Sequence, residues 1–178
     1  MNTILQQRNI PYRVNRIVNV PSDGDCLFWA IAHSMAHEHT NQSLRRLVAQ
    51  SVLFDHPLLL TSCAHWKNLC EVVEDFQFYR NLRKEPLPLS PQNKKKLYQN
   101  LMNADLYWGD EYALTVLAVL LRRNLYVFRK ETNGGLTLTR KRPISRRHDP
   151  VFVYLAGLHY FGLHMEALVV GKMNRRSS

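Results

Sequence analysis

The run Asp23-Gly24-Asp25-Cys26-Leu27-Phe28-Trp29-Ala30 places a cysteine directly after a tight acidic turn and directly before an apolar segment of helical character. A thiol at a helix N-terminus meets free backbone N–H groups and the positive end of the helix dipole, which favour the thiolate. Gly24 permits the twist that the turn needs, and the same N–H groups can stabilise a developing oxyanion. The pattern suits a nucleophile, although a single cysteine is also common as a small core side chain.

The other cysteines and the paired histidines give weaker signals. Three cysteines, an odd number, argue against a disulfide framework and favour a reducing compartment. Cys63, His65 and Cys70 do not follow a common zinc spacing and have no obvious fourth ligand. His33 and His37 lie one helical turn apart without the carboxylate of a zinc-protease helix, so we interpret them as surface residues. We predict that the protein uses no metal and no cofactor.

Length and charge narrow the class of protein. The chain has 178 residues, which fits one domain over 1–178 with a basic tail at 171–178. It contains no apolar stretch of about 18 residues and no secretory signal near its start, so we expect no membrane partner and a cytoplasmic location. The net charge of +10 allows a nucleic-acid-binding domain as an alternative. Because the basic clusters lack interleaved aromatics, we interpret them as solvated faces.

Hydrophobic periodicity predicts helices in the first two-thirds of the chain and strands mainly in the last third. Ser90 and Pro91 resemble an N-cap followed by proline at the first helical position. The order of elements predicts an α+β domain, with helices packed on a small, mostly antiparallel sheet. The predicted helices are 26–37, 42–54, 65–82, 91–102 and 110–121, and the predicted strands are 14–20, 125–129, 136–139, 151–155 and 165–170.

A base for the thiol can come from a histidine near the end of the chain. Residues two apart on a strand point the same way, so Glu166 shares a face with His164 and can orient its ring. His159 has Phe161 at that offset, which cannot do so, and it lies in 156–163, whose two glycines suggest a loop. We therefore predict that His164 is the general base and that Glu166 orients it.

Three blocks of the sequence together resemble a known family. Asp23-Gly24-Asp25-Cys26-Leu27-Phe28 resembles the nucleophile motif of ovarian-tumour (OTU) cysteine proteases. Trp108-Gly109-Asp110-Glu111 resembles that family's WGG-type segment, and the strand 124–128 follows it in the same order. His164-Met165-Glu166-Ala167-Leu168 resembles its final histidine strand.

Three residues depart from the family pattern. Trp29 stands where an arginine is frequent, Met165 where an aromatic is usual, and Glu166 where Asn or Asp is commoner. These departures bear on the residue that orients the histidine and leave the expected fold unchanged. They also keep open a second reading, an OTU-like module that recognises ubiquitin but has lost turnover.

The resemblance implies a papain-like fold and hydrolysis of isopeptide bonds after the C-terminal Gly-Gly of ubiquitin or polyubiquitin. It implies that Asp23, which could also simply cap the turn, helps to shape the oxyanion loop, and that Trp108 and Gly109 lie near the groove for the ubiquitin tail. The tail is basic, so Asp110 and Glu111 are expected to supply acid there. We expect a monomer, and a compact domain of this kind suits a host-directed effector of a microbe or virus.

Overall fold

The computed structural model describes residues 1–54, 88–141 and 149–168. The predicted helix 65–82, the group of Cys63, His65 and Cys70, and the basic tail lie outside the described residues. The described ranges form α1 (Asn2–Gln7), β1 (Tyr12–Val18), α2 (Cys26–Ser34), α3 (Asn41–Gln50), α4 (Pro91–Met102), α5 (Glu111–Leu120), β2 (Leu125–Lys130), β3 (Leu136–Lys141), β4 (Val151–Ala156) and β5 (His159–Ala167).

The strands form one sheet in the order β1-β5-β4-β2-β3. β2 and β4 are parallel, and the other three pairings are antiparallel, which confirms the mostly antiparallel α+β architecture. Side chains alternate across the sheet, so Val127 and Val153 face the core formed with the longer helices. Phe128 and Phe152 face the opposite side, where they pack with Leu5 of α1.

Local sequence signals explain where several helices begin. The Ser90 hydroxyl accepts the backbone N–H of Asn93 at 3.3 Å, and Pro91 is the first residue of α4, as predicted. Thr40 and Ser43 form a reciprocal capping box at the start of α3. α2 differs, because its N-cap residue Asp25 makes no side-chain capping bond.

The predicted strand 165–170 corresponds to the end of β5, which begins six residues earlier than predicted, at His159, and residues 169–170 lie outside the described ranges. The turn between β4 and β5 is short and contains Gly157, at φ +61°. Gly162 lies within the strand, where an added Cβ would sit 3.2 Å from the His33 Cβ and 3.3 Å from the Ala30 carbonyl oxygen. This glycine therefore lets β5 approach α2 closely, rather than marking a loop.

Candidate active site

Cys26 is the first residue of α2 and is only 5% exposed. Its backbone N–H donates to the Asp23 carbonyl at 3.2 Å, and the Asp25 N–H donates to Asp23 Oδ1 at 2.9 Å. The Asp23 carboxylate therefore holds the turn before the cysteine, as Asx turns do. Gly24 is required there, because an added Cβ would lie 1.8 Å from the Ala104 carbonyl oxygen.

Burial raises the pKa of the Cys26 thiol, and the carboxylates of Asp23 and Asp25 raise this pKa further. The backbone N–H groups of Tyr160 and Leu27 bond to the sulfur and oppose the increase. The sequence predicts that the helix N-terminus favours the thiolate, but desolvation outweighs that effect in the folded protein. Because the raised pKa favours the neutral thiol, a nucleophilic role for Cys26 would require a base that takes its proton.

Cys26 opens onto a cleft of about 420 Å³ that also contains His159. His159 is the first residue of β5, and the backbone N–H of the next residue, Tyr160, bonds to the cysteine sulfur. The start of β5 is thus held against the start of α2. The remaining lining residues are Ser22, Asp23, Gly24, Ala104, Asp105, Trp108 and Leu158.

The prediction that His164 serves Cys26 does not agree with the geometry. His164 pairs with Arg16 in the sheet register and lines a separate cleft with His33 and His37. His33 lies seven residues after Cys26 on α2, which is about 10 Å along the helix axis. Burial lowers the pKa of His164, and the nearby charges of Arg16 and His37 lower it further.

Glu166 does not orient His164. Its carboxylate forms an ion pair with Arg13 at 2.7 Å, across the β1–β5 pairing, and both side chains are exposed. His159 instead meets Phe161, with the two rings edge to face at a centroid distance of 4.5 Å. Within the described residues, no carboxylate or amide hydrogen-bonds the His159 ring. The sequence signal that would have identified His159 is the pair Tyr160-Phe161, since aromatic residues favour strands.

Trp108 lies at the rim of this cleft, and together with Gly109 it also lines an adjoining groove. Trp108 is 52% exposed and Leu158, on the opposite rim, is 84% exposed. Gly109 adopts φ +72°, and an added Cβ there would lie 2.8 Å from the Leu27 Cδ2 atom. The glycine therefore brings the tryptophan segment directly against the second residue of α2.

Asp110 lines the groove beside Trp108, but its carboxylate also makes hydrogen bonds within the protein. Its Oδ1 atom accepts the Tyr107 hydroxyl at 2.7 Å and the backbone N–H groups of Tyr112 and Ala113 at 3.1 and 3.4 Å. Asp110 is therefore the N-cap of α5, with its carboxylate turned inward. Burial raises its pKa, although the three donors act in the opposite direction.

Glu111 does line a groove, together with Trp108 and Leu158, on the side of the cleft that faces β2. Its two carboxylate oxygens pair with Arg129 at 3.4 Å and with Lys141 at 2.5 Å. The negative charge expected for binding a basic tail is therefore partly neutralised within the protein.

Residues 21–165 match the model of a family described as OTU-like cysteine protease. The chain belongs to the OTU-like cysteine protease family. The matched range contains the turn, Cys26, the Trp108 segment and His159, which are the parts that form the cleft. A comparison with curated proteins finds no match.

Solved OTU domains share the fold at low sequence identity. The viral OTU domain protease from Farallon virus is 18% identical with a TM-score of 0.54, covering 85% of this chain and 84% of that one. An OTU deubiquitinase from Wolbachia pipientis bound to ubiquitin is 12% identical with a TM-score of 0.53, covering 89% and 97%. An OTU domain in complex with ubiquitin is 17% identical with a TM-score of 0.53, covering 84% and 69%. These likenesses confirm the predicted papain-like OTU fold.

Among residues 1–54, 88–141 and 149–168, no group of three or more His, Cys, Asp or Glu side chains is arranged to hold a metal ion. Within the same ranges, no helix is both long enough and apolar enough to cross a bilayer.

Proposed function

We propose that this protein is a cysteine-dependent deubiquitinase that hydrolyses the isopeptide bond after the C-terminal Gly-Gly of ubiquitin or polyubiquitin. The observation that carries the proposal is the shared cleft of Cys26 and His159 in a chain of the OTU-like cysteine protease family. Two of the similar solved structures are described as bound to ubiquitin, which supports the choice of substrate.

In the proposed reaction, His159 takes the proton of the Cys26 thiol as the sulfur attacks the substrate carbonyl carbon. The carbonyl oxygen becomes an oxyanion, which a free backbone N–H group in the turn before Cys26 stabilises. The Gly24 N–H suits this role, because it makes no hydrogen bond with protein atoms in the described part of the chain. The imidazolium then protonates the leaving amine, and a water molecule, with His159 again as base, hydrolyses the thioester.

The substrate tail enters this cleft between exposed apolar side chains. Trp108 and Leu158 line both the cysteine cleft and the adjoining groove that contains Glu111. Two glycines carry no side chains, so a Gly-Gly segment fits between such walls where larger residues would clash. Arg129 and Lys141 hold the Glu111 carboxylate, so a basic tail residue has to compete with them for it.

A second candidate function rests on a specific feature of His159. Its ring contacts Phe161 and has no hydrogen-bond acceptor in the described residues, while burial raises the pKa of the Cys26 thiol. Both features slow proton transfer from sulfur. A domain that binds ubiquitin with little or no turnover is therefore the alternative.

A panel of diubiquitins, together with a ubiquitin carrying a C-terminal electrophile, separates the two functions. We expect the wild-type protein to cleave at least one linkage and to be captured covalently at Cys26, as located by peptide mass spectrometry. Cys26→Ala is expected to lose both reactions and to retain binding. Binding without cleavage or capture would identify a recognition module, and the absence of binding, cleavage and capture would reject ubiquitin as the substrate.

We propose the cytoplasm, or a host cytosol if the protein comes from a pathogen, as the place where it acts. The proposal rests on the chemistry, since Cys26 is a free thiol and the reaction needs it reduced. Fractionation of cells that produce the protein, followed by capture with the electrophilic ubiquitin, would test it.

A further inference from the structure

Arg45 of α3 is a buried cation with an unusual set of partners. It is 3% exposed, and its Nε donates to Asp25 Oδ1 at 2.6 Å. Nη2 donates to the Gly24 carbonyl at 2.8 Å, while Nη1 donates to the carbonyls of Leu101 and Tyr107 at 2.7 and 2.9 Å. One guanidinium thus satisfies one carboxylate and three backbone carbonyls that lie far apart in the sequence.

These acceptors lie on or beside two walls of the cysteine cleft, namely the turn that contains Gly24 and the segment that leads from α4 to Trp108. Gly24 and Asp25 form the turn directly before Cys26, and Tyr107 directly precedes the rim residue Trp108. The walls also touch at Gly24, where the Ala104 carbonyl leaves no room for a side chain. Arg45 therefore ties the turn that carries the nucleophile to the segment that carries the rim.

Aromatic rings restrict the guanidinium to this position. Its central carbon lies 4.7 Å from the centroid of the Phe28 ring and 5.9 Å from that of Tyr107. Phe28 and Tyr107 are fully buried. Asn41 donates to the second oxygen of Asp25 at 3.3 Å, which holds the carboxylate in place from the other side.

We propose that Arg45 is a positioning residue that holds the turn before Cys26 against the segment before Trp108 and aims the Gly24 N–H at the substrate carbonyl. This inference rests on the proposed function, because it assigns Arg45 to the step in which an oxyanion forms. A lysine cannot replace it, since an ammonium has three donors on a flexible stem and cannot reach four acceptors in a planar fork.

The two reactions of Cys26 separate this role from general support of the fold. Alkylation by iodoacetamide needs the sulfur but no oxyanion site, whereas isopeptide cleavage needs both. A loss of positioning should therefore lower kcat for a fluorogenic ubiquitin substrate and leave the alkylation rate and its pH profile almost unchanged. A misfolded or unstable site would change all of these quantities together.

The test compares Arg45→Lys with Arg46→Lys, an exposed neighbour on the same helix. For Arg45→Lys we expect kcat to fall by roughly tenfold to a hundredfold, with KM changed by less than about threefold. Amide hydrogen exchange should become faster at 23–26 and 107–109 in the same variant, whether or not a ubiquitin substrate is cleaved. Arg46→Lys should match the wild type in every measurement.

The outcomes are distinguishable from failure of the proposed function. If the wild type cleaves no ubiquitin substrate, faster exchange in both walls of Arg45→Lys still supports the tie between them. Unchanged exchange and unchanged kcat in a folded Arg45→Lys protein would overturn the inference. If that variant does not fold, Asp25→Asn removes only the charged arm, and it should lower kcat by about tenfold with faster exchange at 23–26. Wild-type kcat and exchange in Asp25→Asn would then count against the role.

Discussion

The two ends of α2 each meet a histidine of β5, but they differ in what that histidine finds. At the first end, His159 shares a cleft with the Cys26 thiol. At the last end, His164 shares a cleft with two other imidazoles, His33 and His37, and with Arg16. One end brings an imidazole to a thiol, the pair that we propose as base and nucleophile, whereas the other collects groups that repel one another when protonated. The comparison shows that the position of each β5 histidine along α2 determines which side chains lie next to it.

Replacing each of the two histidines in turn is the strongest test of this comparison. We expect His159→Ala to lower kcat/KM on a fluorogenic ubiquitin substrate by roughly a hundredfold to ten-thousandfold, because both proton transfers are lost. His164→Ala should stay within about twofold of the wild type. Measuring both variants beside Cys26→Ala gives the background. A near-normal His159→Ala beside an inactive His164→Ala would restore the assignment drawn from sequence.

The contact between His159 and Phe161 provides a test of whether orientation of the His159 ring limits activity. Phe161→Asn places a hydrogen-bond acceptor two residues from the base, on the same face of the strand. If the ring is imperfectly oriented in the wild type, kcat/KM should rise by about tenfold. Phe161→Leu is the matched control, because it removes the aromatic contact without adding an acceptor. An increase in both variants, or in neither, would show that orientation of the base is not limiting.

The raised pKa of Cys26 predicts how its reactivity depends on pH. Since the thiolate is the reactive form, alkylation at Cys26 should rise about tenfold per pH unit and continue to rise beyond a pH of about 8.5, the ordinary thiol range. Peptide mass spectrometry is needed, because the rate at Cys26 must be separated from those at Cys63 and Cys70. A plateau near neutral pH would instead indicate a stabilised thiolate, as the helix N-terminus alone predicts.

Substituting His164, at the last end of α2, should have the smallest effect of these changes. The effect should be on the stability of the fold and should appear only at acidic pH. Burial is the largest cause lowering the pKa values of His33 and His164, and the neighbouring imidazoles and Arg16 add to it. The unfolded chain therefore binds more protons there, so stability is complete above a pH of about 6.5 and falls as pH decreases. Thermal unfolding of wild type and His164→Gln between pH 7 and pH 5 tests this. The variant should lose less stability, and equal losses would contradict the assignment.

Local signals explain the local structure that the sequence predicted correctly, at the turn before α2 and at the start of α4. The turn at Asp23 and Gly24 and the cap at Ser90 each depend on side chains within three residues of the backbone they hold. The histidine that shares a cleft with Cys26 was not predicted, because its position depends on how β5 lies along α2, a contact between residues more than a hundred positions apart. Gly162 suggested a loop, and only the packed helix shows why a glycine is needed there.

The N-cap role of Asp110 was not foreseen from sequence. An acidic residue directly before an apolar helix is a signal for an N-cap. The same residue can also be interpreted as a negative charge that binds substrate, so the pattern alone does not choose between the two roles. The fold decides between them, because Tyr107 is buried and its hydroxyl needs an acceptor. The role proposed for Arg45 could not be predicted from sequence, because its four acceptors come together only in the packed domain.

The position of β1 affects how a fragment of this protein should be chosen for study. The family match begins at residue 21, but β1 spans Tyr12–Val18 and pairs along β5, the strand that begins with His159. Trimming the chain to the matched range would turn β5 from an interior strand into an edge strand with unpaired N–H and C=O groups. Such a fragment would be prone to strand-to-strand association. If it lost activity, the cause would be the absence of β1 beside β5 and not the absence of active-site residues.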